Sequence, residues 1–249
     1  MRLLFSVLFG VALALPAAAQ TADELVAKNL AAKGGEQKIK AIHSLRMTGK
    51  LQGSGGFTAK VSSTAVAPNL RRETLTIQGM TEIEAYDGAT GWHISPFEGR
   101  KDPELMGEDD VRSLSEEADF YGPLVDYRKK DNRVEYLGHD TVDGDDAYRL
   151  KVTLANGDIL YYYLDPDTYL EVRVETVQFI RGSIHESFRN LGCYKAVAGV
   201  YFPFSLETGS PQNPESSSKI TFDSIEANVT VGPQEFKVPA AVAGAGKEL

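Results

Sequence analysis

Four histidines, one cysteine and a cluster of aspartates are the side chains that could make this sequence a catalyst or a metal site. Their spacing argues against both. His43, His93, His139 and His185 form no pair at metal-ligand spacing, and no H-E-x-x-H run occurs. His185 and Glu186 fall in an expected strand, where neighbouring side chains point to opposite faces. No G-x-S-x-G turn is present to raise a serine nucleophile. Asp140, Asp143, Asp145 and Asp146 gather around Gly144 and invite a calcium reading. A helix-flanked calcium loop would need a later glutamate, and the flanks here read as strands, so a solvated hairpin is expected instead. Cys193 has no partner for an intramolecular disulfide and reads as a small core or strand residue rather than a reactive thiol. Gly53-Ser54-Gly55-Gly56 resembles a phosphate loop only in composition: it lacks the lysine and opens no helix. The expectation is no enzyme, with no catalytic residue, no metal and no cofactor, although sites assembled from scattered residues leave no motif.

The elements around these residues are mostly strands. Thr21 to Ala32 reads as a helix with Asp23 and Glu24 in its first turn and Leu25, Val26, Asn29 and Leu30 as a stripe. Gly34-Gly35 stops it, and Glu36 to Ile42 can form one more short helix. From Leu45 the apolar period falls to two. Strands follow around Leu45 to Leu51, Phe57 to Ala65, Thr74 to Gln78, Met80 to Tyr86 and Trp92 to Ile94, with Asp87-Gly88 as a hairpin turn. Gly107 to Phe120 breaks the pattern: Val111, Leu114 and Ala118 take helical spacing behind Asp109 and Asp110. Strands resume at Val134 to Gly138, Ala147 to Leu154, Ile159 to Leu164, Tyr169 to Phe179, Ser183 to Arg189, Tyr201 to Thr208 and Lys219 to Ile225. Gly209 to Ser218, polar and proline-containing, is expected to be a loop, and the tail after Pro239 to fray.

The first residues suggest export. Arg2, the apolar run Leu3 to Leu15, Pro16 and Ala17-Ala18-Ala19 match a secretion signal cut after Ala19, and the run is short for a bilayer span. The expected layout is therefore a signal at 1–19 and one domain at 20–249, working in the periplasm. No cysteine stands at the cut to carry a lipid anchor, and no later apolar run predicts a membrane span. A net charge of −9 disfavours non-specific nucleic-acid binding, which needs a basic surface. A hydrophobic share of 42 % with 24 % charged residues suits a globular chain with a sizeable core.

Several short motifs resemble the LolA family of periplasmic lipoprotein carriers. These are Ala67-Pro68-Asn69-Leu70 leading to Tyr86-Asp87-Gly88, then Gly91-Trp92-His93-Ile94-Ser95-Pro96-Phe97-Glu98, the run Tyr162 to Tyr169, and Ile220-Thr221-Phe222 followed by Phe236 and Pro239. They span most of the chain in order. The resemblance implies a mainly β fold, an unclosed antiparallel half-barrel of about eleven to twelve strands with an N-terminal helix and an inserted helical lid over an apolar cavity. It implies a carrier or binder of lipoproteins or lipids, with an acylated cargo and possible inner-membrane donor and outer-membrane acceptor proteins. That family has an arginine just before Pro-Asn that ties the lid. Ala67 stands there, so no charged latch is expected at that position, and Arg71 and Arg72 are the cations that could replace it. Hiding one sixteen-carbon chain from water is worth on the order of 12 kcal/mol at ~0.8 kcal/mol per methylene. Such a task needs a wall rather than a catalyst. Met47, Leu75, Ile77, Trp92, Ile94, Phe97, Tyr163 and Phe204 are the candidate wall, with Trp92 and Ile94 expected to share a face with Leu75 and Ile77. The rival reading is an envelope interaction or sensor module whose half-barrel is filled by its own side chains.

Overall fold

The computed structural model describes residues 20–239. The expected secretion signal and the terminal tail lie outside these residues. The chain enters through α1 (Ala22–Ala32), whose first turn is closed by a capping box: the Thr21 side chain accepts from the Glu24 amide while Glu24 bonds back to the Thr21 amide. Leu25, Val26, Asn29 and Leu30 are all buried, as their spacing predicts. Each fully buried leucine contributes about 1.5–3 kcal/mol. The chain then makes α2 (Glu36–Lys40).

Fifteen strands follow among the described residues: β1 (Ser44–Gln52), β2 (Thr58–Val66), β3 (Leu70–Ile77), β4 (Met80–Tyr86), β5 (Gly91–Ser95) and β6 (Arg100–Leu105), then helix α3 (Glu108–Glu117), then β7 (Arg133–Val142), β8 (Asp145–Thr153), β9 (Ile159–Leu164), β10 (Glu171–Ile180), β11 (Ser183–Gly192), β12 (Lys195–Val197), β13 (Val200–Phe202), β14 (Ser205–Ser210) and β15 (Asn213–Ala227). Thirteen form one antiparallel sheet in the order β6-β5-β4-β3-β2-β1-β15-β14-β11-β10-β9-β8-β7, while β12 and β13 pair separately. The sheet does not close, because β6 and β7 are its two edges. The expected mainly β half-barrel with an N-terminal helix and an inserted helix is the observed fold.

Two strand expectations need correction. The polar segment Gly209 to Ser218 is not a loop: β14 runs to Ser210 and β15 begins at Asn213, with Ser210 opposite Asn213 in register. Ladder hydrogen bonds and neighbouring strands hold it extended despite its composition. The short β6 was also missed; it carries Pro103 and lies at an edge, where a proline costs no ladder bond. Cys193 is exposed and takes a left-handed φ of 54°, so it is a turn residue after β11 rather than core or strand. The aspartate hairpin carries no calcium-loop geometry. Asp140 pairs with Arg149 at 3.0 Å, Asp143 with Arg173 at 3.2 Å and Asp146 with His139 at 2.9 Å.

The main core lies on the inner face of the sheet, beneath α1. It joins Leu25, Val26 and Leu30 to Leu45, Leu150, Val152, Tyr162, Leu164, Phe204, Phe222 and Ile225. A bulge between Thr48 and Gly49 bends β1 against β15. Gly49 permits this approach, because a Cβ there would meet the Thr221 carbonyl oxygen at 2.3 Å.

Candidate functional site

Helix α3 spans the concave side of the sheet and is fastened at both ends of its reach. On one side, Arg71 of β3 holds Glu117 of α3 at 3.1 Å and Glu73 at 2.5 Å. The Phe120 amide, just past the helix, donates to the Pro68 carbonyl at 3.0 Å. The Pro-Asn turn therefore anchors the end of α3 through backbone, and Arg71, not residue 67, supplies the charged contact to the helix. On the other side, Asn156 donates to Glu116 at 2.6 Å, and Gln178 of β10 donates to both Glu116 at 3.1 Å and Asp158 at 3.2 Å. Arg112 completes that clasp, donating to the Phe179 carbonyl at 2.6 Å with its Nε 3.5 Å from Asp158.

Glu116 and the buried Asp158 thus sit side by side with one guanidinium between them. Burial, and then Asp158, hold the Glu116 carboxyl well above its usual range. With α3 docked, Glu116 therefore keeps a proton that it releases when exposed to water at an ordinary pKa of about 4.3. Docking of α3 is fully favoured below that ordinary value and weakens as pH rises toward the raised one. Hydrogen-exchange protection of the α3 amides, corrected for intrinsic exchange, is expected to fall as pH rises from 5 to 9, and Glu116→Gln to flatten the profile. Protection independent of pH in the unaltered protein would refute this.

Under α3 lies a cavity of about 570 Å³. Its sheet wall is set by register: Leu150 lies opposite Tyr162, Tyr162 opposite Val174, Val174 opposite Arg189 and Arg189 opposite Thr208, all on the inner face. Leu154, Leu160, Val174 and Leu191 supply an apolar belt, and the turn-rich segment 119–132 closes the far side with Asp119, Pro123, Lys130 and Asn132. The lower end is polar. Lys33, capping the C-terminus of α1, meets Glu171 at 2.9 Å. The Tyr194 hydroxyl donates to Glu171, at 2.8 Å to its carbonyl oxygen and 3.2 Å to its carboxylate. Burial pushes Glu171 up, but the Lys33 ammonium and the hydrogen bonds outweigh it and hold the carboxyl below its usual range. Lys130 pairs with Asp119 at 2.6 Å and also donates to the Gly122 carbonyl. The expected apolar cavity is thus amphipathic: a hydrocarbon belt between two polar ends.

None of the wall candidates named from sequence lines this cavity. Met47 is on the inner face, packed against the main core opposite Ser63 and Ile225. Leu75 and Ile77 are half-buried on the inner face of β3, opposite Glu82 and Met80. Phe204 is buried in the main core with the Lys195 ammonium 4.4 Å from its ring centre. Phe97 lies in the exposed turn after β5. Tyr163 faces outward, its hydroxyl donating to Glu175 at 2.9 Å and its ring stacked near Arg149. Trp92 and Ile94 do not share a face with Leu75 and Ile77. Leu75 lies opposite Glu82, whereas Trp92 lies opposite Ala85 and Ile94 opposite Ile83, an odd step along β4 and hence the other side of the sheet. There Trp92 is buried and its indole N–H donates to the Phe236 carbonyl at 2.8 Å. In the run Tyr161-Tyr162-Tyr163, the middle residue is the cavity residue. Aromatic content alone could not set that parity, and the segment 119–132 left no periodic signal.

No family model matches the sequence, and no curated protein matches it. Solved structures do. A putative outer membrane lipoprotein-sorting protein domain from Vibrio parahaemolyticus superposes with a TM-score of 0.57 at 12 % identity, over 86 % of this chain and 95 % of that one. A LolA superfamily protein from Nitrosomonas europaea gives 0.58 at 10 % identity, over 88 % and 98 %. A DUF1329 family protein from Desulfovibrio piger gives 0.57 at 12 % identity, over 87 % and 97 %. The chain has the LolA-like fold.

Proposed function

We propose that this chain is a non-catalytic carrier or binder of an acylated amphiphile, a lipid or a lipoprotein's lipid, held between the sheet and α3. The observation that supports it best is the cavity itself: a partly open space with a hydrocarbon belt, beneath a helix held by side-chain clasps, one backbone bond and a small apolar cluster with Tyr86. Its size suits a ligand pocket. In this reading the 1–19 segment is a cleaved signal, 20–249 works as one domain in the periplasm, and the cargo passes between an inner-membrane donor and an outer-membrane acceptor. When α3 lifts, the inner face of β3 with Leu75 and Ile77 extends the apolar wall toward Met47. Trp92, Ile94 and Tyr163 lie on the outer face and take no part in this opened wall.

The interaction-module reading has one feature in its favour. Phe179 and Ile184, 61 % and 67 % exposed, lie opposite each other at the tip of the β10–β11 hairpin. Native mass spectrometry of the mature protein, followed by solvent extraction, separates the two readings. Co-purified or exchangeable acyl ligand at one per chain is the expected result. A protein that stays ligand-free and takes up no acyl probe, even with the lid clasps removed by Arg71→Ala and Glu116→Ala, overturns the carrier reading.

A further inference from the structure

The polar end of the cavity is more specific than a place to hide a chain. Tyr162 is buried and lines the cavity, yet its hydroxyl has no hydrogen-bond partner in the protein among the described residues and is not sealed from open space. Its neighbours are committed: the Tyr194 hydroxyl goes to Glu171, and the Tyr163 hydroxyl on the opposite face goes to Glu175. Burial first, then Glu171 and Asp119, push the Tyr162 phenol above its ordinary pKa, so it remains a neutral donor and acceptor. The hydroxyl therefore faces the cavity with its hydrogen-bonding capacity free for a ligand group.

The charges around it come in opposite pairs. Lys33 faces Glu171 at 2.9 Å, Lys130 faces Asp119 at 2.6 Å, and Arg189 faces Glu117 at 4.0 Å. The fourth carboxyl of the lining, Glu116, is the one that burial holds above its usual range and so keeps protonated, and the wall therefore offers no net charge to a singly charged headgroup, but it offers both signs within one small volume. We propose that this end is a seat for a zwitterionic headgroup, hydrogen-bonded to the Tyr162 hydroxyl and lying between the Lys33–Glu171 and Lys130–Asp119 pairs, with the ligand's tail on Leu160 and Val174. The inference rests on the carrier reading and adds the ligand class: a zwitterionic amphiphile rather than a free fatty acid. A headgroup bearing both charges meets each ion pair with its complementary end, so the buried Glu171 carboxylate keeps a cation beside it when the half-buried Lys33 turns to the ligand.

The test uses monomeric lysophospholipids of one chain length in a displacement assay: one with a zwitterionic phosphocholine head, one with an anionic phosphoglycerol head, and the matching fatty acid. The unaltered protein is expected to bind the zwitterion at least about tenfold more tightly than either anion. Tyr162→Phe removes only the free hydroxyl, breaks no internal bond, and is expected to weaken the zwitterion about fivefold while leaving the fatty acid unchanged. Equal affinity for all three probes, or an equal loss for all three in Tyr162→Phe, overturns the headgroup seat and leaves the carrier reading standing. Failure of every probe to bind, with the protein folded, overturns the carrier reading and the seat together.

Discussion

Replacing Lys33 by methionine is expected to destabilise the fold by about 3–5 kcal/mol at neutral pH, the range for removing one partner from a buried ion pair. Glu171 is 4 % exposed, and in the intact protein Lys33 and the Tyr194 hydroxyl are what make a charge tolerable there. The pH dependence should change sign with the mutation. In the unaltered protein Glu171 is held below its ordinary pKa, so its contribution is present above the ordinary glutamate range and is lost as pH falls through the depressed value. Without Lys33, desolvation is the leading remaining influence and raises the carboxyl, so Lys33→Met should lose stability as pH rises above the ordinary range and recover it in mild acid. Urea unfolding between pH 4 and 8 reads both slopes. Parallel profiles for the two proteins would show that Lys33 does not hold Glu171 charged. Lys33→Met with Glu171→Gln should regain most of the loss, because the uncompensated charge is then gone.

The sequence carried the fold where side chains alternate or repeat without competition. Asp23 and Glu24 mark the first turn of α1, the α1 stripe is the buried stripe, and Asp87-Gly88 makes its hairpin, with the Asp87 carboxylate accepting from the Ala89 and Thr90 amides. The lid was legible from Val111, Leu114 and Ala118, of which Leu114 and Ala118 are buried. The cavity was not legible, for three physical reasons. Its wall is amphipathic, so the search for large apolar residues passed over Lys33, Glu171 and Asp119. One wall, residues 119–132, is a succession of turns without a period. And face assignment depends on register across several strands, where a single odd step moves every side chain to the other side. Trp92 shows this last point: its strand after the Asp87-Gly88 hairpin and the face it shares with Ile94 are legible, while its side of the sheet, and with it its neighbours, are not. The latch illustrates a fourth limit. Ala67 removes the expected cation, and only the ladder shows that Arg71, four residues on, faces inward toward Glu117.

Phe236 to alanine is the substitution expected to have the other large effect, about 3–5 kcal/mol for truncating a fully buried phenylalanine. Phe236 is 1 % exposed, at the end of a short turn, Pro233–Glu235, that lays the chain's last described residues over the outer face of the sheet. Its carbonyl takes the Trp92 indole N–H, and Trp92 shares a shallow hollow with Arg72, Gln234, Glu235 and Lys237. Losing the phenyl ring removes the apolar anchor that keeps this segment in place, so the indole should lose both cover and acceptor. The single tryptophan gives a direct readout. Phe236→Ala should shift Trp92 emission to the red in the still-folded protein and lower the unfolding midpoint. The far-ultraviolet circular dichroism of the sheet should be unchanged below that midpoint. An acyl ligand filling the cavity of the unaltered protein should leave Trp92 emission unmoved, since the indole is on the opposite face from Leu75, Ile77 and the inner wall. A clear emission change on ligand binding, with Phe236 in place, would mean that the ligand reaches the outer face and that the cavity under α3 is not its seat. Retained stability and unchanged emission in Phe236→Ala would mean that the segment is held by its backbone bond to Trp92 alone, and that the buried ring contributes little.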